Sequence, residues 1–107
     1  MEIISLGSGS SGNCTIIKSN GHTIMVDAGI NKKLFSEKLA AINVTLDDIE
    51  AAFFTHDHID HIRLVDLLPL DIRYAGLGTV ELLGMSHWMT PFQTKEIAGF
   101  KVTPFPL

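Results

Sequence analysis

Thr55-His56-Asp57-His58-Ile59-Asp60-His61 gathers three of the chain's five histidines and two aspartates into seven residues. It follows directly on the apolar run Ala51-Ala52-Phe53-Phe54. On an extended chain His56 and His58 project to the same side, and a turn into a following helix can swing Asp60 and His61 toward the same space. Imidazole and carboxylate donors of this kind suit zinc, manganese or iron. Up to two adjacent ions could share a water or hydroxide as nucleophile while polarising the bond under attack. The plain alternative is a solvated, histidine-rich turn. The order His-x-His-x-Asp-His at the end of a buried strand favours metal binding, with His56, His58, Asp60 and His61 as ligands.

The elements that must present this loop are legible around it. Residues 2–6 read as a first strand, and residues 7–13, rich in glycine and serine, as the loop that leaves it. Residues 14–18 and 22–26 are β-type runs joined through Asn20-Gly21, a strong hairpin signal, and Asp27-Ala28-Gly29 is where the chain is expected to leave the sheet. Asn31 can cap a helix over residues 32–42, because Leu34, Phe35, Leu39 and Ile42 share one face. Thr45 and Asp48 form a capping-box pattern before the strand at residues 51–54, which is apolar on both faces. Beyond the histidine loop the pattern predicts a short helix over residues 62–68 stopped by Pro69, a β-type segment at residues 72–75, a helix over residues 79–85 and a last strand at residues 100–103, with residues 92–96 ambiguous. A β-rich start followed by alternating helix and strand places the chain in the α/β (α+β) class.

Composition sets the bounds. A chain of 107 residues, 46% hydrophobic and 19% charged, matches one ordinary globular domain. No apolar run approaches a membrane span and no leader pattern opens the chain, so the expectation is a cytoplasmic protein with no membrane partner. Cys14 is the single cysteine, which leaves no cysteine-rich metal cluster and reads as a space-filling residue. A net charge of −4 provides no basic footprint for nonspecific nucleic-acid binding. A metal-centred site can handle a phosphodiester without one.

Gly7-Ser8-Gly9-Ser10-Ser11-Gly12 formally satisfies the dinucleotide fingerprint, with Asp27 near the expected acid. That site needs a helix to open at the last glycine, whereas Cys14 opens a β-branched run into a hairpin. The segment reads as a glycine-rich turn whose backbone amides could touch an anionic substrate.

The strand, hairpin, Val26-Asp27-Ala28-Gly29, helix, buried strand and Thr55-His56-x-His58-x-Asp60-His61 together resemble the metallo-β-lactamase fold superfamily of metal-dependent hydrolases. The resemblance implies an αββα sandwich with a mostly antiparallel or mixed sheet and helices on one face. It implies that His56 and His58 serve a first metal, that Asp60 and His61 serve a second, and that Asp60 also orients or deprotonates the attacking water. Asp27 and Thr55 would support the loop, a strand-end turn acid being the plain alternative for Asp27. The turn ending in Asn13 is similar to the exonuclease- and phosphodiesterase-like subgroup, implying a phosphodiester substrate such as nucleic acid. Arg63 stands where that family commonly has a small residue and reads as a solvated surface arginine. His22 and His87 lie in the wrong context to supply the family's later ligands. Residues 1–107 are therefore expected to be the N-terminal portion of such a domain, with hydrolysis slow or absent in isolation and an apolar sheet face covered by a C-terminal half, a partner or a second copy. A thioester or lactone hydrolase on the same scaffold, and a non-catalytic metal-binding or assembly module, remain alternatives.

Overall fold

In a computed structural model, which describes residues 1–56, 58–76 and 87–105, the chain folds around one mixed sheet. Strands β1 (Glu2–Gly7), β2 (Cys14–Ser19), β3 (His22–Ala28), β4 (Ala51–Phe54), β5 (Arg73–Ala75) and β6 (His87–Trp88) lie side by side in chain order. The first three are antiparallel, and β3 through β6 run parallel. The fold is thus the expected α/β class with a mixed sheet. Asn20 and Gly21 make the β2–β3 turn at φ 51° and 80°, as a two-residue hairpin requires.

Alternation along the strands divides the core. Cys14, Ile16, Met25, Ala52, Phe54 and Ala75 face one side, where they pack with Phe35 and Leu39 of helix α1 (Lys32–Ala41). Asn31 Oδ1 accepts the Leu34 N–H at 2.8 Å, which caps that helix as its sequence predicts. Lys38 Nζ donates to the Leu6 carbonyl at 2.8 Å and ties the helix to β1. Ile24, Ala51 and Phe53 face the opposite side, where they meet Ile97 and Phe100 of a hairpin formed by β7 (Lys95–Ile97) and β8 (Phe100–Val102). That hairpin covers the second face only in part, since Ile3 remains 68% exposed. β4 is buried throughout, which explains its lack of polar residues.

Three expectations change. The helix predicted over residues 62–68 is a single turn, α2 (Ile59–Ile62), followed by a 3-10 turn at Val65–Leu67. The Leu64 N–H donates to the Ala28 carbonyl at 2.7 Å, so the backbone after α2 is committed to the end of β3 and cannot continue a helical ladder. β3 itself runs to Ala28, beyond the predicted exit at Asp27. Part of the ambiguous segment is β7, which turns into β8 through Ala98 and Gly99 at φ 52° and 79°. Alanine in the left-handed region gives no turn signal, which is why this hairpin was not predicted. The helix predicted over residues 79–85 lies outside the described residues. Among the described residues no helix is long and apolar enough to cross a membrane.

Candidate metal centre

The site forms where β3 and β4 end side by side, and a β-bulge aims its first residue. Thr15 pairs with Val26 and Cys14 with Ala28, so Asp27 has no partner across the ladder. Its φ of 62° is left-handed, a conformation that aspartate tolerates better than most residues. The bulge sends the buried carboxylate toward the end of β4. There Asp27 Oδ1 accepts the Thr55 N–H at 2.8 Å, and Oδ2 accepts the Thr55 hydroxyl at 2.7 Å.

These contacts fix the protonation pattern of two imidazoles. His61 Nδ1 lies 2.7 Å from Asp27 Oδ2, and a carboxylate there can only accept, so Nδ1 carries the proton. The Thr55 hydroxyl gives its one hydrogen to Asp27, so His56 Nδ1, at 2.8 Å from Thr55 Oγ1, must donate to that oxygen. Both rings are left with the Nε2 lone pair directed away from this network, the arrangement a metal-ligating histidine needs. The two ring centres are 4.3 Å apart.

His61 Nε2 faces Asp60 Oδ2 at 3.7 Å. Two donors bound to one tetrahedral zinc-sized ion sit about 3.4 Å apart, so this pair fits a shared ion after little adjustment. Asp27, His56 and His61 also have one donor-type atom each within 4.8 Å of one another. Asp27 nevertheless reads as a support, because its oxygens are already engaged by Thr55 and His61. His58 sits at the N-terminal end of α2, its ring 6.3 Å from that of His56. The four predicted ligands therefore lie on the one segment that runs from the end of β4 into α2. Asp60 and His61 face one another directly, and His58 stands farther out.

Close backbone packing holds the loop in place. Asn13 N–H donates to the Asp60 carbonyl at 2.8 Å, and Gly29 N–H donates to the Asn13 carbonyl at 2.8 Å. A Cβ on Gly29 would overlap the Asp60 carbonyl, and one on Gly12 would lie 2.6 Å from the Gly29 oxygen. Both glycines are required by these approaches. The sequence marked residues 7–13 and 27–29 as turns but gave no sign that they meet beneath the histidine loop.

The remaining singled-out residues fall elsewhere. Arg63 is exposed, as expected, and its Nε also donates to the Gly29 carbonyl at 3.1 Å and braces the same junction. His87 stacks on Tyr74 with ring centres 4.7 Å apart, and His22 pairs with Glu50 at the far end of the sheet. Cys14 is fully buried, and its thiol is pushed up to about 12, first by burial and then by the Asp27 charge, so it fills space as expected.

The chain is 41% identical over 88 residues to the exodeoxyribonuclease WalJ of Streptococcus pneumoniae, a match covering 78% of this chain and 32% of that protein. It is 34% identical over 76 residues to ribonuclease Z of a Mycobacterium species, covering 64% of this chain and 26% of that protein. The matches thus span between about a quarter and a third of the length of these curated relatives. Among solved structures, MEM-A1, a subclass B3 metallo-beta-lactamase from a soil metagenome library, superposes with a TM-score of 0.75 over 94% of this chain and 48% of that one. Its identity of 15% makes this a likeness of fold alone. A family model of the metallo-beta-lactamase superfamily matches residues 7–101, and the chain belongs to that superfamily, whose membership implies divalent metal ions.

Proposed function

We propose that the chain contributes to a metal-dependent hydrolase of phosphodiester bonds, with nucleic acid as the substrate class. The observation that carries the reading is the Asp60–His61 pair, whose donor atoms face one another while Asp27 fixes the His61 ring from behind. His56 and His58 would hold one divalent ion, Asp60 and His61 a second. Zinc or manganese suits this nitrogen and oxygen set, and iron falls within the same donor chemistry. The chemistry such ions supply when bound is water activation and polarisation of the bond under attack.

The chain's own residues would divide the remaining work. Asp60 would orient the attacking water and take its proton at a carboxylate oxygen. Asp27 and Thr55 would keep the Nδ1 protons of His61 and His56 in place, so that both Nε2 atoms stay available. Relatives named as an exodeoxyribonuclease and a ribonuclease support nucleic acid as substrate. Residues 1–107 would act as the N-terminal portion of the hydrolase domain, with turnover by these residues alone slow.

A thioester or lactone hydrolase is the second reading. An open, mainly apolar groove lined by Val26, Phe53, Phe54 and Phe100 reaches Thr55 at the edge of the site and would suit an apolar acyl group. The two readings separate by assaying the chain with zinc or manganese against an activated phosphodiester, single-stranded DNA, a thioester and a lactone. Metal-dependent phosphodiester cleavage that disappears in Asp60→Asn and His58→Ala is expected. Preferential acyl cleavage favours the second reading. Turnover unchanged in both variants overturns the assignment of the site, and no more than one loosely held ion without any turnover points to a binding or assembly module or to an incomplete site.

A further inference from the structure

We propose that Asn13 is a positioning residue of the metal centre, whose side-chain amide holds Asp60 and His61 in their facing arrangement. The inference rests on the metal reading given above and concerns a residue outside the histidine loop. Asn13 ends the glycine- and serine-rich turn, 47 residues before Asp60 in the chain. Its amide orientation is set by a two-way pair with one residue of that turn. The Gly9 N–H donates to Asn13 Oδ1 at 3.1 Å, and Asn13 Nδ2 donates to the Gly9 carbonyl at 2.9 Å. A flipped amide would set donor against donor and acceptor against acceptor, so the network itself assigns nitrogen and oxygen.

The amide nitrogen has two hydrogens, and Gly9 takes one of them. The other is directed at the pair that would share an ion. Asn13 Nδ2 lies 3.2 Å from the Asp60 carbonyl, 3.5 Å from Asp60 Oδ2 and 3.4 Å from His61 Nε2. That N–H is closest to the Asp60 carbonyl and also lies near its carboxylate oxygen and the imidazole nitrogen left unprotonated by Asp27. A donor there favours the rotamer in which Asp60 Oδ2 turns toward His61, and a bound ion would take its place at Nε2 while the contact with Asp60 remains. The backbone of Asn13 repeats the connection by donating to the Asp60 carbonyl and accepting from Gly29. These main-chain bonds do not depend on the side chain. Substitution of the amide can then disturb the alignment of the pair while the junction between the turn, β3 and the histidine loop persists.

The test compares the chain with Asn13→Ala and Asn13→Asp. Asn13→Asp keeps an acceptor for the Gly9 N–H and has no N–H to give Asp60. Zinc affinity is measured by chelator competition, the ligand field by cobalt(II) absorption, and folding by thermal unfolding of the metal-free chain. Both variants are expected to fold, to bind zinc at least about 10-fold more weakly, and to show a shifted cobalt band. Zinc affinity and a cobalt spectrum like those of the unmodified chain, in whichever variant folds, overturn the proposal. So does failure of both to fold, which would make Asn13 a folding residue. If the unmodified chain binds neither zinc nor cobalt, the metal reading itself fails and takes this proposal with it, an outcome distinct from equal binding by all three proteins.

Discussion

Two histidine–carboxylate pairs sit at opposite ends of the sheet. His61 Nδ1 and Asp27 Oδ2 are 2.7 Å apart, and His22 Nδ1 and Glu50 Oε1 are 2.9 Å apart, so bond length does not separate them. Their surroundings do. The His61 and Asp27 side chains are 17% and 8% exposed, against 43% and 39% for His22 and Glu50. Asp27 also accepts twice from Thr55, which in turn fixes His56, and the far nitrogen of His61 faces a second carboxylate. Glu50 receives His22 and the Thr23 N–H, and the contact joins the start of β3 to the approach to β4. A hydrogen-bonded histidine becomes part of a candidate site when its remaining nitrogen is directed at other donors. At the His22 end the same pair is a surface brace.

The contrast can be broken from the site end first. Gly29→Ala places a Cβ into the Asp60 backbone, and the expected loss is about 3 kcal/mol or more, read by chemical denaturation. Partial folding with the histidine loop displaced would appear as lost metal affinity. Asp27→Asn is the sharper test. An amide nitrogen facing His61 Nδ1 would donate to it and move the ring proton to Nε2, the nitrogen meant for metal. Metal affinity should fall about 10- to 100-fold in a chain that still folds, measured by chelator competition. Asp27→Asn with full affinity would remove the distinction between the two pairs.

The exposed pair should give the smallest effects. His22 holds the Glu50 carboxyl below the ordinary glutamate range, with the Thr23 N–H as the next cause. A depressed carboxyl stabilises the fold above its unfolded value of about 4.5, and that contribution is lost as pH falls through the lowered folded value. Glu50→Gln should therefore flatten the acid limb of a stability-against-pH curve slightly and leave metal affinity unchanged. A change in metal affinity would show that the two ends of the sheet are coupled.

Much of this was legible in the sequence because local rules agree with the tertiary fold. The Asn20-Gly21 turn, the Asn31 cap, the apolar β4 and the donor-rich loop after it are set by neighbouring residues, and each appears where the pattern places it. What the sequence did not reveal depends on distant contacts. The Leu64 amide leaves the helical ladder because Ala28 offers a carbonyl, and Asp27 points into the site because a bulge forms against Cys14 and Thr15. Asn13 shows the same limit. Its place at the end of a turn was clear, but its approach to Asp60 and His61 exists only once β1, β3 and the histidine loop are packed together.

The most direct measurement is zinc binding by the chain and by an Asp60→Ala/His61→Ala double variant, with cobalt(II) absorption to report the donor set. Saturable binding in the unmodified chain is predicted, together with loss of at least one ion and of its cobalt signature in the folded double variant. Equal binding and identical spectra in the two proteins would contradict the assignment of Asp60 and His61 to a metal centre.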